Sequence, residues 1–290
     1  MSNELAIAEE RGQSMAELMG VRTSTGDAAP STARIGMLHS PLMGEVEFKG
    51  KTIKTEVVPV GAFIMTQGET KVYSNGVTVR IFAQRQQWQR WNSESTEMEK
   101  SVLANTLNGD LMDSIGGFNL GRPSGYIENF NELDQATKDI MRSVKRVKVF
   151  YGTVTLDNPI DAAGEPVEGD FTDIPFVMDI KNRDSLKSID AVLNTLQRSN
   201  KLPIMSTIKL VGVEDTIPTG AKFGKIEASM GEDVALTEED NVTLRNFLEL
   251  IEWSNGKIID LHNERADKGM SEEDNTLVND ILNNDFVDVE

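Results

Sequence analysis

The sequence predicts an α+β protein that is rich in strands: an elaborated five-stranded barrel of the OB type with helical insertions, followed by an acidic helix and a C-terminal tail. Two observations carry this prediction. Short β-branched and aromatic segments alternate with turn residues between positions 46 and 229, and one amphipathic helix pattern interrupts them late. A small meandering sheet with a helix inserted in this way is typical of Greek-key barrels of that type.

Composition excludes several classes of function. The chain has 290 residues, of which 39% are hydrophobic, so it can bury a substantial core. The absence of cysteine excludes disulfides, thiolate metal sites and a cysteine nucleophile. Only two histidines leave little material for a zinc site or a serine–histidine pair. We therefore predict that the protein is not an enzyme and has no catalytic residue, no metal and no cofactor.

The chain also lacks the sequence features of a membrane or secreted protein. No apolar run approaches the ~20 residues that a membrane helix needs, and the N-terminal residues are too charged for a signal peptide. We expect a cytoplasmic protein without membrane contact.

Three parts can be predicted along the chain. Residues 1–40 have weak helical spacing and then many Ser, Thr, Gly and Pro residues, which predicts a mobile N-terminal arm and linker. Residues 41–230 are predicted to form the OB-like domain, with an insertion at about 93–143. Residues 231–290 are predicted to form the acidic helix and tail, and Thr237 and Asp240 have the spacing of a capping box at the start of that helix.

Residues 71–92 differ most from the rest of the chain. They contain four cations, four aromatic residues and no acid, in a protein with a net charge of -18. The dipeptide Asn75-Gly76 predicts a β-hairpin between residues 71–73 and 77–82. Alternation then places Val77, Val79 and Ile81 on a core face.

The same alternation predicts a second face that carries a cation beside an aromatic ring. Arg80 and Phe82 lie on this face, and Trp88 and Arg90 continue it if the strand runs on without a break. In that register Trp91 falls on the core face. A bulge or a strand end must therefore intervene if both tryptophans are to act together.

The remaining elements follow from periodicity and from turn residues. Strands are predicted over residues 46–48, 51–58, 61–65, 147–156, 174–180, 204–213 and 222–229, and helices over 94–112, 133–144, 185–199 and 237–262. Asp184 is a plausible N-cap of the third helix.

Charge is segregated along the chain. Residues 1–48 carry a net charge of -4, residues 49–230 carry -1, and residues 231–290 carry -13. Within the nearly neutral middle, residues 71–92, 141–156 and 181–209 each carry a net charge of +4. If these basic stretches fold together, they form one positive face on an acidic protein.

This layout resembles the single-stranded DNA-binding proteins of DNA bacteriophages. The stretches that carry the resemblance are residues 71–92, 147–156, 202–213 and 279–290. The resemblance implies that single-stranded DNA binds a basic aromatic groove in phage replication or recombination. It also implies that the acidic tail competes for the groove and recruits replication or recombination proteins. Phe286 lies near the end of the tail but is not terminal, and an Asp-Ile-Pro-Phe string occurs internally, at residues 173–176.

Two sets of candidate site residues follow. The nucleic-acid-binding set comprises Lys71, Tyr73, Arg80, Phe82, Arg85, Trp88, Arg90, Trp91, Arg122, Lys145, Arg146, Lys148, Phe150 and Tyr151, and the partner-binding tail set comprises Asp280, Asp285, Phe286, Asp288 and Glu290. Bases would stack on the aromatic rings while the cations follow the backbone.

Two other classes of protein fit the same sequence. A structural or assembly protein of a virus particle would also have a β-rich body, a mobile arm and no catalytic residues. An acidic mimic of nucleic acid, which inhibits a DNA-binding enzyme, could use the charge of residues 231–290.

Overall fold

The computed structural model describes residues 32–48, 51–125, 127 and 129–269. The strands in chain order are β1 (Ala33–Met37), β2 (Leu42–Phe48), β3 (Lys51–Val58), β4 (Phe63–Gln67), β5 (Thr70–Ser74), β6 (Gly76–Asn92), β7 (Glu97–Lys100), β8 (Lys145–Asp157), β9 (Ile174–Ile180), β10 (Ser206–Thr216) and β11 (Lys222–Asp233). The α-helices of this part of the chain are α1 (Gln135–Ser143), α2 (Arg183–Arg198) and α3 (Glu238–Gly269).

The protein is an α+β, strand-rich structure, as predicted, but its main sheet is not closed into a five-stranded barrel. Nine strands form one mixed sheet in the order β11-β10-β6-β8-β9-β1-β4-β5, and β7 pairs with the far end of β6. β1 and β9 are parallel, whereas the other pairs are antiparallel. β2 and β3 form a separate two-stranded hairpin.

The strand β1 falls within the stretch predicted as a mobile arm. It lies between β9 and β4, and its small and apolar residues Ala33 and Ile35 are buried in the main core. Residues 1–31 of the predicted arm lie outside the described residues.

The sheet has two differently covered faces. The α2 face holds the main core, in which Val77, Phe150 and Phe176 pack with Ile189 and other residues of α2. The opposite α3 face is covered in two places. One is a cluster in which Val149 and Tyr151 of β8 pack with Phe247 and Ile251 of α3. The other is a smaller cluster around Tyr73, at the β4–β5 end of the sheet.

The hairpin predicted at Asn75-Gly76 does not form. β5 pairs with β4, and β6 pairs with β8 and β10, so Asn75 lies at a corner where two strands meet without pairing. The Ser74 hydroxyl group hydrogen-bonds at this corner to the carbonyl oxygens of Gly76 and Asp157. The turn chemistry of Asn-Gly is therefore overridden by long-range strand pairing.

A β-bulge in β6 changes which side chains share a face. Opposite β8 the register shifts between Ile81 and Ala83, next to Gly152. Arg80 lies opposite Thr153, and Trp88 lies opposite Arg146. Because directly opposite residues share a face and side chains alternate along a strand, Arg80 and Trp88 lie on opposite faces of the sheet. The predicted continuous face from Arg80 to Trp88 and Arg90 is therefore wrong.

The predicted helix over residues 94–112 is also wrong. This segment forms β7, which pairs with the end of β6, and then an irregular loop. The buried Ser101 hydroxyl accepts a hydrogen bond from the backbone N–H of Trp88, and its carbonyl oxygen accepts one from Gln87. Pairing with β6 thus overrides the weak helical spacing.

The other predicted helices are present with shifted bounds. Asn182, rather than Asp184, caps α2, because its side-chain oxygen accepts hydrogen bonds from the backbone N–H groups of Asp184 and Ser185. The predicted capping box of α3 is confirmed. The Thr237 backbone N–H donates to the Asp240 carboxylate, and the Asp240 backbone N–H donates to the Thr237 hydroxyl.

Asp240 also anchors α3 to the sheet. Its two carboxylate oxygens accept two hydrogen bonds from the Arg80 guanidinium, each of 3.0 Å. The side chains of this pair are only 13% and 9% exposed. The Arg80 guanidinium also donates to the carbonyl oxygen of Ile204. The predicted face that carries Arg80 and Phe82, proposed for binding, is therefore covered by α3.

Replacing Gly152 with Ala should destabilise the fold. A Cβ at this position would collide with the carbonyl oxygen of Arg80 on the neighbouring strand. We expect the free energy of unfolding to fall by about 2 kcal/mol in urea denaturation. Gly36→Ala in β1 is the control, because its added Cβ meets nothing within 4 Å. Equal losses in the two variants would contradict this account.

Replacing Asp240 with Ala should also lower the free energy of unfolding, by about 3 kcal/mol. The substitution removes the carboxylate that pairs with the Arg80 guanidinium and leaves this charge largely shielded from water. Asp139→Ala is the matched control. Asp139 pairs with Arg142 on the surface, where both side chains are at least 60% exposed, and its loss should change stability by less than about 0.5 kcal/mol. Thermal or urea unfolding measures both, and an Asp240 effect as small as that of the control would refute the anchor.

Candidate functional site

Three of the aromatic residues predicted to stack with bases lie in the interior. Phe150 is fully buried in the main core, and Tyr151 and Tyr73 are buried in the two clusters on the α3 face. Phe82 packs edge-on against Phe247, with ring centroids 5.8 Å apart. None of these four rings offers an open face to a base in this structure.

Three of the predicted cations are committed to ion pairs within the protein. Besides Arg80, Arg90 pairs with Glu99 at 2.6 Å, and Lys148 pairs with Asp190 of α2 at 2.6 Å. Strand pairing or helix packing holds each of them, so these three cations are neutralised within the protein.

Trp88 and Arg122 form a separate contact on the α2 side of β6. The Arg122 guanidinium carbon lies 4.7 Å from the Trp88 ring centroid, and its Nη1 donates to the carbonyl oxygen of Met141. Burial lowers the pKa of Arg122. The indole Nε1 of Trp88 is buried and has no hydrogen-bond partner among the described residues. Trp88 is thus brought together with Arg122 and not with Trp91.

Lys145 and Arg146 lie at the start of β8 and are exposed. The Lys145 ammonium donates to the carbonyl oxygen of Arg142. Arg146 is directly opposite Trp88 and therefore shares its face. Lys145 and Arg146 themselves lie on opposite faces, because adjacent residues of a strand point to opposite sides.

A different set of cations gathers on the α3 face. We call it the cationic strip, and it consists of Arg34, Lys71, Arg85, Lys100 and Lys181. Arg34, Lys71 and Lys181 are exposed, whereas Arg85 and Lys100 are half-buried. Among the described residues none of the five forms an ion pair. The strip lies where the α3 cluster and the Tyr73 cluster leave the sheet uncovered.

Strand register places Lys71, Arg34 and Arg85 on one face. Lys71 lies opposite Thr66, which lies opposite Arg34, which in turn pairs with Val177 of β9. Asp179 follows Val177 by two residues on β9 and therefore lies on the same face. It lies opposite Val149 of β8, which in turn lies opposite Arg85 of β6. Neighbouring strands are about 4.8 Å apart, so Arg85 and Asp179 are separated by roughly 10 Å across β8.

Electrostatic interactions connect Asp179 with several cations of the strip. Burial lowers the pKa of Lys100, and the positive charges of Arg34 and Lys181 lower it further, while Asp179 opposes them. Burial, and after it the charge of Asp179, raises the pKa of Tyr151. Arg85 and Arg34 act in the opposite direction on that group. Asp179 is therefore the carboxylate that acts on both Lys100 and Tyr151.

Trp91 lies at the end of the same face. It is 58% exposed and pairs with Met98 across β6 and β7, two residues along from the Gln89–Lys100 pair. Gln89 donates to Asp179, which fixes both on the α3 face. Trp91 thus shares this face with Lys100 and Arg85, because β6 is regular beyond its bulge. Sequence alone left its orientation open.

Sequence reasoning missed three residues of the strip. Arg34 was assigned to the arm, although Ala33, Ile35 and Met37 alternate with it as in a half-buried strand. Lys100 fell within the erroneous helix. Lys181 belongs to the basic stretch 181–209, but its place beside Arg34 depends on the parallel pairing of β1 and β9.

The tail residues predicted to bind partners, Asp280, Asp285, Phe286, Asp288 and Glu290, lie outside the described residues. In the part of the chain that the structure describes, no helix is both long and apolar enough to cross a membrane.

The chain was compared with protein families, curated proteins and solved structures. No family model, no curated protein and no solved structure matches this chain.

Proposed function

We propose that the protein binds single-stranded DNA across the open part of its α3 face. The observation that carries this proposal is the cationic strip with the exposed Trp91 at its end. Cations that form no ion pair among the described residues suit the phosphate backbone, and an exposed indole suits a base. These are the two components of sequence-independent binding to a single strand.

The position of the strip on a sheet favours a single strand over a duplex. Its side chains come from β1, β5, β6 and β7 and from the end of β9, and they stand on a surface bordered by α3 and by the Tyr73 cluster. A single strand can present both its backbone and its bases to such a surface, whereas a duplex keeps its bases stacked inside. This proposal includes two predictions made from the sequence. One is a relation to proteins of the OB type, and the other is a role in protecting and organising DNA during phage replication or recombination.

Trp91 should report and stabilise binding. Adding oligo-dT should quench tryptophan fluorescence, and Trp91→Phe should remove most of the quench. Because base stacking on an aromatic ring contributes roughly 1–3 kcal/mol, Trp91→Ala should weaken binding about tenfold in an anisotropy titration. Trp253→Phe, at an equally exposed tryptophan on α3, should leave both readouts unchanged.

Salt dependence provides the companion measurement. The logarithm of the association constant should fall linearly with the logarithm of salt concentration, and Lys181→Gln should reduce that slope by about 0.7 if one phosphate contact is lost. Lys187→Gln on α2 should not change the slope, because Lys187 pairs with Asp184. A wild-type protein that binds no oligonucleotide at low salt would overturn the proposed function.

Lys100 should make binding depend on pH. Its pKa lies below the ordinary lysine value in the free protein, and a nearby phosphate would raise it. Binding therefore takes up a proton, and affinity should fall as pH rises from the lowered pKa of Lys100 towards the ordinary lysine value. Lys100→Arg keeps its charge throughout this range and should flatten the curve. Lys209→Arg on β10 is the control, and a wild-type curve no steeper than that of Lys100→Arg would contradict the role of Lys100.

A further inference from the structure

The α3 face contains a chain of buried amide groups that leads to Asp179. Gln87 and Gln89 are only 3% and 2% exposed. The Gln87 Nε2 group donates to the carbonyl oxygen of Ser101 at 2.6 Å. The Gln89 Nε2 group donates both to Gln87 Oε1 at 2.9 Å and to Asp179 Oδ2 at 3.4 Å. The chain therefore runs from the loop after β7 across the sheet to Asp179.

Burying such a chain of amide groups costs free energy, which suggests a function for the carboxylate at its end. A buried amide loses its hydrogen bonds to water, and apolar side chains on β6 would fill the same space without that cost. The chain holds the Gln89 amide against the Asp179 carboxylate, and thereby orients it. Supporting hydrogen bonds of this kind are typical of side chains that must present one geometry to a ligand.

Asp179 faces the surface on which the single strand is proposed to lie. Its side chain is half-buried, and Gln89 supplies its one side-chain hydrogen bond within the described part of the chain. An ionised carboxylate accepts about four hydrogen bonds, so most of its acceptor positions remain available. A carboxylate repels phosphate. In a bound DNA strand, Asp179 would therefore accept a hydrogen bond from a donor group of a base.

We propose that Asp179 reads the amino group of a base, so that the protein prefers cytosine to thymine at this position. This inference rests on the proposed function. The N4 amino group of cytosine donates to a carboxylate, whereas thymine presents carbonyl oxygens on either side of its single ring N–H. Gln89 acts as a positioning residue, because it touches Asp179 and not the base.

Oligo-dC and oligo-dT of equal length test this proposal, because both are pyrimidine strands with similar stacking. By fluorescence anisotropy at neutral pH, the wild-type protein should bind oligo-dC about tenfold more tightly than oligo-dT. Asp179→Asn, which preserves the shape of the side chain, should abolish this ratio and strengthen oligo-dT binding. Gln89→Met should lower the ratio in part without changing the number of charges.

The ratio separates base reading from a general electrostatic role. If Asp179 only offsets the surrounding cations, Asp179→Asn strengthens binding of both oligonucleotides equally, and the unchanged ratio overturns the inference while the proposed function stands. Equal binding of oligo-dC and oligo-dT by the wild-type protein also overturns the inference and leaves the proposed function standing. Failure to bind either strand overturns the proposed function and the inference with it. Asp139→Asn on α1 serves as the control and should leave both affinities unchanged.

Discussion

The bulge in β6 is the constraint on which the candidate site depends. β6 is 17 residues long, and without a break its alternation would place Arg80, Phe82, Trp88 and Arg90 on one face. The register shift between Ile81 and Ala83 exchanges the two faces for the rest of the strand. Gly152 permits it, because a larger residue would meet the backbone of β6. As a result, Trp91 lies on the open face and Trp88 on the other.

Ion pairing separates the structural cations from those that remain for a ligand. Arg80, Arg90 and Lys148 each pair with a carboxylate and thereby hold two elements of the fold together. The strip differs because, among the described residues, its cations form no ion pairs. A bound anion would lower the Coulomb repulsion among them, as the proposed binding of single-stranded DNA requires.

Helix α3 decides how much of the sheet face is available. Its first turn is held by the Arg80–Asp240 pair, and Phe247 and Ile251 cover the part of the face formed by β6 and β8. The helix thereby removes Phe82 and Tyr151 from any binding surface and leaves the region of β1 and β9 open. Gln87 and Gln89 are buried on the same face, and their hydrogen bonds lead to Asp179.

The sequence by itself determined the elements whose signals are local. The strands at residues 147–156 and 174–180, the α2 pattern and the capping box of α3 are confirmed, because alternation, helical spacing and cap chemistry act over a few residues. The position and charge of residues 71–92 also singled out the strand that supplies Arg85 and Trp91. Only the tertiary structure decided which side chains share a surface. Strand order, the parallel pairing of β1 with β9 and one extra residue in β6 depend on long-range contacts, and a shift of a single residue moves every later side chain to the other face.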